Sequence, residues 1–473
     1  MAAGRRVEGE RGVRAPADED LLDTIVAIAT PPGVGALAVI RVSGPRAFDL
    51  IGELADVPRH PPRIAHLRTL RTAGGEALDH AVVTLFPGPA SYTGEDVVEV
   101  TTHGGRIAPH IVQDALERGG ARRARPGEFT QRAWLNGKVD LVQAEAVADL
   151  VEGSSRALHR VALRQLDRGL SRRIASLRSA IVQLEARMVH HIDFPEEDDA
   201  PIGIDSLAEE ARNLAAGFNR LAATAPAGRM LRQGVRTVLA GAPNAGKSSL
   251  LNALVGEPRA IVTEIAGTTR DRIEVSVEID GLPFRLVDTA GLRPTDDVVE
   301  REGVAMAESA IAEADLVLHC TPLAEDPAAP DSERVAELSE APVIHVATMS
   351  DRVAGAAGES RGGRGGTASG IATSAVEGTG LDRLRAEMVG VVFSGVRELG
   401  DEASVLTRDR QVEGVREAAR EMQGFAHALE SGIPPEVAAA HLKAAATATE
   451  ELLGTIGDEE VLDRVFSDFC IGK

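Results

Sequence analysis

Eight consecutive residues, Gly241-Ala242-Pro243-Asn244-Ala245-Gly246-Lys247-Ser248, follow the pattern G-x4-GK[ST]. That spacing suits the cradling of a phosphate chain. Glycines let backbone N–H groups turn inward, the N-terminus of a following helix adds positive potential, and Lys247 reaches the β and γ oxygens. Ser248 is placed to hold Mg²⁺, and Ser249 opens the amphipathic stretch that runs to Val255. Further on lies Thr268-Thr269-Arg270-Asp271. A threonine there binds Mg²⁺ only when a γ-phosphate is present, which makes a switch. Asp288-Thr289-Ala290-Gly291 comes next: Asp288 reaches the metal through water, and the Gly291 N–H senses the γ-phosphate. Ser374-Ala375 supplies a backbone contact to a base. The four elements in this order point to a GTPase rather than a generic ATPase.

Two positions depart from that pattern. The base-reading motif of this class is Asn-Lys-x-Asp, whereas this chain has Thr348-Met349-Ser350-Asp351. Asp351 can accept N1–H and N2–H of guanine, a charge-assisted pair that contributes about 1.5–3 kcal/mol. Met349 keeps an apolar cover but loses the lysine charge, so weaker nucleotide binding is expected. The residue after Gly291 is Leu292, where Ras-like GTPases place a water-orienting glutamine. Hydrolysis therefore needs another device.

These residues require strands that end at loops. Thr237–Gly241, Phe284–Val287, Leu316–His319 and Pro342–Ala347 are short apolar runs between helical segments, the signature of a doubly wound parallel sheet. Gly355–Gly370 reads as a flexible surface insertion. Before this region the periodicity is helical from about Asp140 to 225, broken near Pro195 by the acidic, solvated loop Glu196–Asp199. After about 403 it is helical again, with Val461, Val465 and Phe469 on one face. The α/β domain is thus expected to be inserted into a helical one. Residues 21–135 read as α/β, with strands at Thr24–Ala29, Ala36–Val42, His80–Phe86 and Val97–Thr101. The expected organisation is a disordered extension over 1–20, an N-terminal domain over 21–138, a helical domain over 139–230 and 403–473, and an inserted domain over 231–402.

The 473 residues carry a net charge of −21, which argues against general adhesion to nucleic acid or anionic membranes but leaves room for a local basic patch. Cys320 and Cys470, the two cysteines, can build neither a disulfide framework nor a four-cysteine zinc site, and a reducing cytoplasm fits. No apolar run is long enough to span a membrane. Only four of the 51 basic residues are lysine: Lys138, Lys247, Lys443 and Lys473. Such survivors are candidates for positions that need lysine chemistry; codon bias with random survivors is the alternative reading. His103, flanked by Gly104 and Gly105, reads as structural.

From about residue 23 to the end the chain resembles the tRNA-modification GTPase family MnmE, also called TrmE. The resemblance rests on Asp23–Gly44, Phe86-Pro87-Gly88-Pro89, Thr93-Gly94-Glu95-Asp96, Ala124–Phe129, Leu141–Ser154, the GTPase motifs and the terminal Phe469-Cys470-Ile471-Gly472-Lys473. It implies a homodimer with an N-terminal tetrahydrofolate-binding domain, a helical domain and an inserted G domain. The partner implied is FAD-containing MnmG, in a heterotetramer that modifies C5 of the wobble uridine of tRNA with a one-carbon unit from 5-formyl- or 5,10-methylene-tetrahydrofolate. It also implies K⁺ held by Asn244, Thr263, Ile265 and Thr268, Mg²⁺ held by Ser248 and Thr269, and Glu300 as the catalytic glutamate. The matching folate positions are Arg41, Glu99, Lys138 and Lys473. Cys470, next to that tail, is a candidate reactive thiol or a buried apolar residue, and Cys320 reads as core.

Two functions of different class compete with this one. A GTP-dependent scaffold with weakened hydrolysis would fit Thr348-Met349. A ribosome-assembly GTPase of the Era type fits less well, because the C-terminal helices carry no basic RNA-binding module.

Overall fold

The computed structural model of the chain describes residues 23–55, 61–193, 203–256, 274–289, 298–324, 330–353, 370–398 and 404–455. Near the C-terminus it describes 462, 465–466, 469 and 471–472. The expected extension over 1–20, the acidic loop at 196–199 and nearly all of the 355–370 insertion lie outside these residues. The chain divides into two compact units, 1–148 with 450–473, and 149–449.

In the first unit the elements are β1 Ile25–Ile28, β2 Leu37–Ser43, α1 Ala47–Ala55, β3 His66–Arg71, β4 Ala77–Phe86, β5 Val97–His103, α2 Ala108–Arg118, β6 Arg122–Arg123 and α3 Glu128–Leu135. The sheet runs β3-β4-β5-β2-β1-β6, antiparallel except for the parallel β1–β6 pair. Alternation explains the packing: Val26, Ile40, Val42, Val98 and Val100 point to one face and bury Leu50 and Ile51 of α1 and Val112 and Leu116 of α2. The strand β3 was not legible in the sequence, since it lies at the sheet edge and buries only Leu70. Helix α4 (Leu141–Glu152) begins in this unit. Its Leu141, Ala144 and Ala148 pack against Val465, Phe466 and Phe469. Trp134 Nε1 donates to the Gly454 carbonyl at 3.1 Å.

The second unit contains α5 Arg156–Leu166, α6 Gly169–Asp193, α7 Ile204–Ala222 and α8 Ala225–Gln233, then β7 Val235–Ala240, α9 Lys247–Val255, β8 Glu274–Ile279, β9 Leu282–Asp288, α10 Val298–Ala312, β10 Leu316–Pro322, α11 Pro330–Leu338, β11 Val343–Thr348, β12 Ile371–Ala372 and α12 Leu381–Glu398. Helices α13 (Asp409–Glu430) and α14 (Pro435–Leu453) follow. The sheet order is β12-β11-β10-β7-β9-β8, parallel except for the β8–β9 hairpin at one edge. The helical part is held by α7 against α13, each of which buries a stripe of small and apolar residues, Ala208, Ala211, Ala215 and Phe218 on one and Val415, Ala418, Met422 and Phe425 on the other.

The two helical stretches are tied together where the inserted sheet leaves and returns. The Leu406 N–H donates to Thr224 Oγ1 at 3.1 Å, and Gln165 Nε2 donates to the Val405 carbonyl at 2.8 Å. The chain therefore leaves the helices and returns to them side by side. Asp149 lies in the same region, with Oδ1 2.5 Å from Arg408 Nη2 and Oδ2 accepting from Thr407 Oγ1 at 3.1 Å. Burial pushes its carboxyl up despite Arg408 and Arg232. A third link joins α5 to the β8–β9 hairpin: the Ala157 N–H donates to the Gly281 carbonyl at 2.9 Å, and the Arg156 N–H to Glu278 Oε2 at 2.9 Å.

Candidate functional site

The loop from Gly241 to Gly246 joins the buried strand β7 to α9. Gly241 has φ +141°, and a Cβ there would lie 2.3 Å from the Cys320 carbonyl oxygen, so only glycine lets β10 pass this close. Asn244 has φ +64°, a conformation that asparagine tolerates better than most residues. Gly246 caps the helix with φ +83°. Lys247 is buried, and its Nζ donates to the carbonyls of Gly241 and Ala242, both at 2.9 Å, which anchors the ammonium within the loop's own turn. Ser248 and Ser249 are exposed, and Ala245 is buried. Cys320 is core, as expected, with its thiol pushed up to about 12 by burial in spite of Lys247.

Ser248 Oγ donates to Asp288 Oδ2 at 2.5 Å. The other oxygen, Asp288 Oδ1, is buried and has no hydrogen-bond partner among the described residues. A hydroxyl and a carboxylate with a spare buried oxygen, at the N-terminus of α9, suit a hard divalent cation such as Mg²⁺. Thr289 donates to the Leu239 carbonyl at 2.7 Å and ties the end of β9 to β7.

The segment at the end of β11, Thr348-Met349-Ser350-Asp351, departs from Asn-Lys-x-Asp yet is tied to the phosphate-type loop. Thr348 is buried, and its Oγ1 donates to the Ala245 carbonyl at 2.7 Å, so it binds the phosphate-type loop directly. Met349 has φ +58°, and its methyl lies 3.4 Å from where a Cβ at Gly246 would be. Ser374 Oγ donates to Asp351 Oδ1 at 2.7 Å and accepts from the Glu377 N–H at 3.1 Å, while Ala375 is half-buried beside it. Asp351 itself is exposed and so remains open to a ligand. Of the other nucleotide-site expectations, Thr263, Ile265, Thr268, Thr269, Ala290 and Gly291 lie outside the described residues. Glu300 lies on α10, and its side chain is likewise outside them.

In the first unit, Arg41 and Glu99 are directly opposed across β2 and β5. They pair with each other, Arg41 Nη2 to Glu99 Oε1 at 2.8 Å, so neither is an uncommitted charge. The Arg41 guanidinium stands over the Tyr92 ring at 5.2 Å and the Phe129 ring at 5.7 Å. Lys138 Nζ donates to the Pro89 carbonyl at 2.9 Å, so the loop from Pro87 to Gly94 touches Lys138 at one end and Arg41 at the other. The C-terminal tail reaches the same part of the unit. Ile471 bridges Pro126 in antiparallel fashion, and the Gly472 carbonyl accepts from Arg41 Nη1 at 3.5 Å. Lys473 and Cys470 lie outside the described residues. His103 is structural: its Nδ1 lies 2.7 Å from Asp79 Oδ1, and its N–H donates to Oδ2.

One cluster carried no individual signal in the sequence. Arg132, 1% exposed, donates to the Asp23 carboxylate at 2.6 Å, to Glu128 at 3.1 Å and to Glu95 at 3.2 Å. Arg122 pairs with Asp23 and with the fully buried Glu128. Glu95 accepts from Ser43 at 2.7 Å. The cluster pins the loop that bears Tyr92. Asp23, Glu95 and Glu128 sit in motifs noted above and Arg122 and Arg132 do not; the five are spread over more than a hundred positions, and no spacing rule gathers them.

The chain matches the model "MnmE helical domain" over residues 141–470 and the model "GTP-binding protein TrmE N-terminus" over 24–138. The chain belongs to the MnmE family. Curated relatives named tRNA modification GTPase MnmE include those of Methylorubrum populi, 45% identical over 95% of this chain and 98% of the relative, and Halorhodospira halophila, 41% identical over 98% of both. That of Aquifex aeolicus is 40% identical over 95% of this chain and 100% of the relative. Among solved structures, Aquifex aeolicus Era bound to GDP and aluminium fluoride is 24% identical over 40% of this chain and 66% of its own, at a TM-score of 0.28, too low to carry an argument. As an MnmE-family GTPase, the chain has its phosphate-type loop, Asp288 and Asp351 on one sheet edge, at the C-terminal ends of β7, β9 and β11. Among the described residues no helix is long and apolar enough to cross a membrane.

Proposed function

We propose that this protein hydrolyses GTP as part of a complex that installs an aminomethyl-type group, carboxymethylaminomethyl among them, at C5 of the wobble uridine of tRNA. The observation that carries the GTPase half is Asp288, with one oxygen on Ser248 and the other buried and without a partner among the described residues, beside the Gly241–Ser248 loop. The loop N–H groups and Lys247 bind the β and γ oxygens, and Asp351, steadied by Ser374, reads guanine. Ser248 and Thr269 would hold Mg²⁺, with Asp288 acting through water, and the ion would supply positive charge beside the phosphates. Asn244, Thr263, Ile265 and Thr268 would hold K⁺, which supplies positive charge where other GTPases use an arginine finger. Glu300 orients the attacking water through a second water, the role that Leu292 cannot fill.

The one-carbon half of the reading rests on the loop bearing Tyr92, together with Arg41, Glu99, Lys138 and the tail ending in Lys473. The Arg41–Glu99 pair presents a donor face and an acceptor face together, which suits a 5-formyl- or 5,10-methylene-tetrahydrofolate headgroup, while the lysines suit its carboxylates. The organisation is an N-terminal domain over 21–138, a helical domain over 139–230 and 403–473, and a G domain over 231–402, in a cytoplasmic homodimer that works with an FAD-containing MnmG-type partner.

Mass spectrometry of wobble uridines tests the whole reading. Cells lacking the protein should accumulate unmodified uridine at position 34 of a tRNA subset, and restoring the wild type should reverse this. Unchanged uridine 34 in the deletion strain would refute the tRNA half, and absence of GTP turnover by the purified chain would refute the other.

A further inference from the structure

From Gly153 to Leu184 the sequence holds seven arginines and one acidic residue, Asp167. In a chain of net charge −21 this is a sharp local reversal. Arg156, Arg160 and Arg164 recur every four residues on α5, so they lie along one side of the helix. Leu158, Ala162 and Gln165 face the other way and are buried. Arg156 and Arg160 are exposed and Arg164 is half-buried. Arg168, at the turn between the helices, and Arg172 and Arg173, in the first turn of α6, are exposed. Arg156 pairs with Glu278 through Nε, yet its side chain is 78% exposed, so the guanidinium still meets solvent.

Helix stability does not call for this pattern. Like charges four apart on a helix repel and destabilise it, and α5 contains two such pairs with no glutamate between them. The exposed face of α13 shows the usual solution, with Arg410, Glu413, Arg416, Glu417, Arg420 and Glu421 interleaved and Arg420 paired with Glu417. An array of guanidiniums along about 12 Å of helix, continued around a turn, fits a ligand with regularly spaced negative charges, and guanidiniums bind phosphates bidentately.

We infer that the α5–α6 face, centred on Arg160, Arg164, Arg168 and Arg172, docks the phosphodiester backbone of a structured RNA. This rests on the reading above that tRNA is the substrate, and it assigns that substrate a surface. Backbone contacts position an RNA without reading its sequence, so the face should bind different tRNAs alike.

The test is binding of an unmodified tRNA transcript to the full-length protein, followed by fluorescence anisotropy from 0.05 to 0.3 M KCl. The variant is Arg160→Gln/Arg168→Gln/Arg172→Gln. Each lost phosphate contact should flatten the slope of log K against log salt by about 0.7–0.9, so the triple variant should lose about 2 in slope and at least about tenfold in affinity at 0.1 M salt. Its GTP turnover without RNA should match the wild type, and its melting temperature should hold or rise because repulsion is removed. The corresponding triple lysine variant should keep most of the affinity. Equal tRNA binding by wild type and triple glutamine variant would overturn the surface assignment alone. No tRNA binding by the wild type would overturn both the surface and the tRNA reading. Binding of polyglutamate but not tRNA to these arginines would assign the face to an acidic protein and overturn the RNA docking.

Discussion

Thr348 and Glu300 are the residues on which the nucleotide chemistry can be tested most sharply. The Thr348 hydroxyl ties the segment that precedes Asp351 to the Ala245 carbonyl. Thr348→Val keeps the shape and leaves that buried carbonyl unsatisfied, a cost of about 1–3 kcal/mol. Guanine-nucleotide affinity should fall roughly 5- to 100-fold, and calorimetry giving wild-type affinity would show that the loop holds its shape unaided. Met349→Lys with Thr348→Asn should gain a few-fold at most, because the tie that asparagine would supply already exists. Glu300 acts on the transition state in our reading, so Glu300→Ala should lower kcat by about 10²-fold with GTP binding retained. Steady-state turnover in K⁺ and in Na⁺ should differ strongly for the wild type; equal rates in both salts would remove the K⁺ role of Asn244.

At the scale of elements, α3 and the loop before β5 are fastened by buried charge. Burial alone would push the Glu128 carboxyl up, but hydrogen bonds from Arg122 and from the Arg125 N–H, with the charges of Arg122 and Arg132, hold it below the usual carboxylate range. Asp23 is likewise held down by Arg122 and Arg132 against its own desolvation. A carboxyl with a lowered folded-state pKa contributes stability above its unfolded pKa and loses it as pH falls through the folded value. Asp149 in the second unit has the opposite sign: its raised pKa contributes stability at low pH that is lost as pH rises. Acid below about pH 4 should therefore loosen the first unit before the second. Trp134, the one tryptophan, sits in the first unit and reports on it, so its fluorescence should change at a higher pH than helical circular dichroism. Coincident transitions would refute the assignment. Arg132→Leu strands a buried carboxylate and should cost about 3–5 kcal/mol, nearer the low end because Arg122 still pairs with Glu128.

For the whole molecule, the tail and the insertion make separable claims. Ile471 and Gly472 contact the first unit, and none of the tail's described contacts involves the phosphate-type loop. Deleting Cys470–Lys473 should abolish wobble-uridine modification and weaken binding of formyl- or methylene-tetrahydrofolate while K⁺-stimulated GTP turnover survives. Retained folate affinity would exclude the tail from that pocket. Because Leu406 bonds to Thr224, replacing 235–403 with a short linker should leave the helical part folded, with cooperative melting and no GTP turnover. The excised piece should be less stable than in the full chain, since Ala157 of α5 is part of its core. A non-cooperative melt of the linker protein would show that the helices depend on the inserted sheet.

The sequence alone determined the chemistry that depends on short-range spacing. The G-x4-GK[ST] loop, the strands β7, β9, β10 and β11 and the helical stretches on either side were legible, because a phosphate cradle and an amphipathic helix are made by residues a few positions apart. Tertiary structure alone decided what distant residues do to one another. It paired Arg41 with Glu99, gathered Asp23, Glu95, Arg122, Glu128 and Arg132, and tied Thr348 to the Ala245 carbonyl. It also left Arg156 and Arg160 of α5 and Arg172 and Arg173 of α6 exposed, away from the buried residues of their helices. The reason is physical: a charge or hydroxyl has no fixed partner along the chain, and its role is set by burial and by what the fold brings within about 3 Å of it.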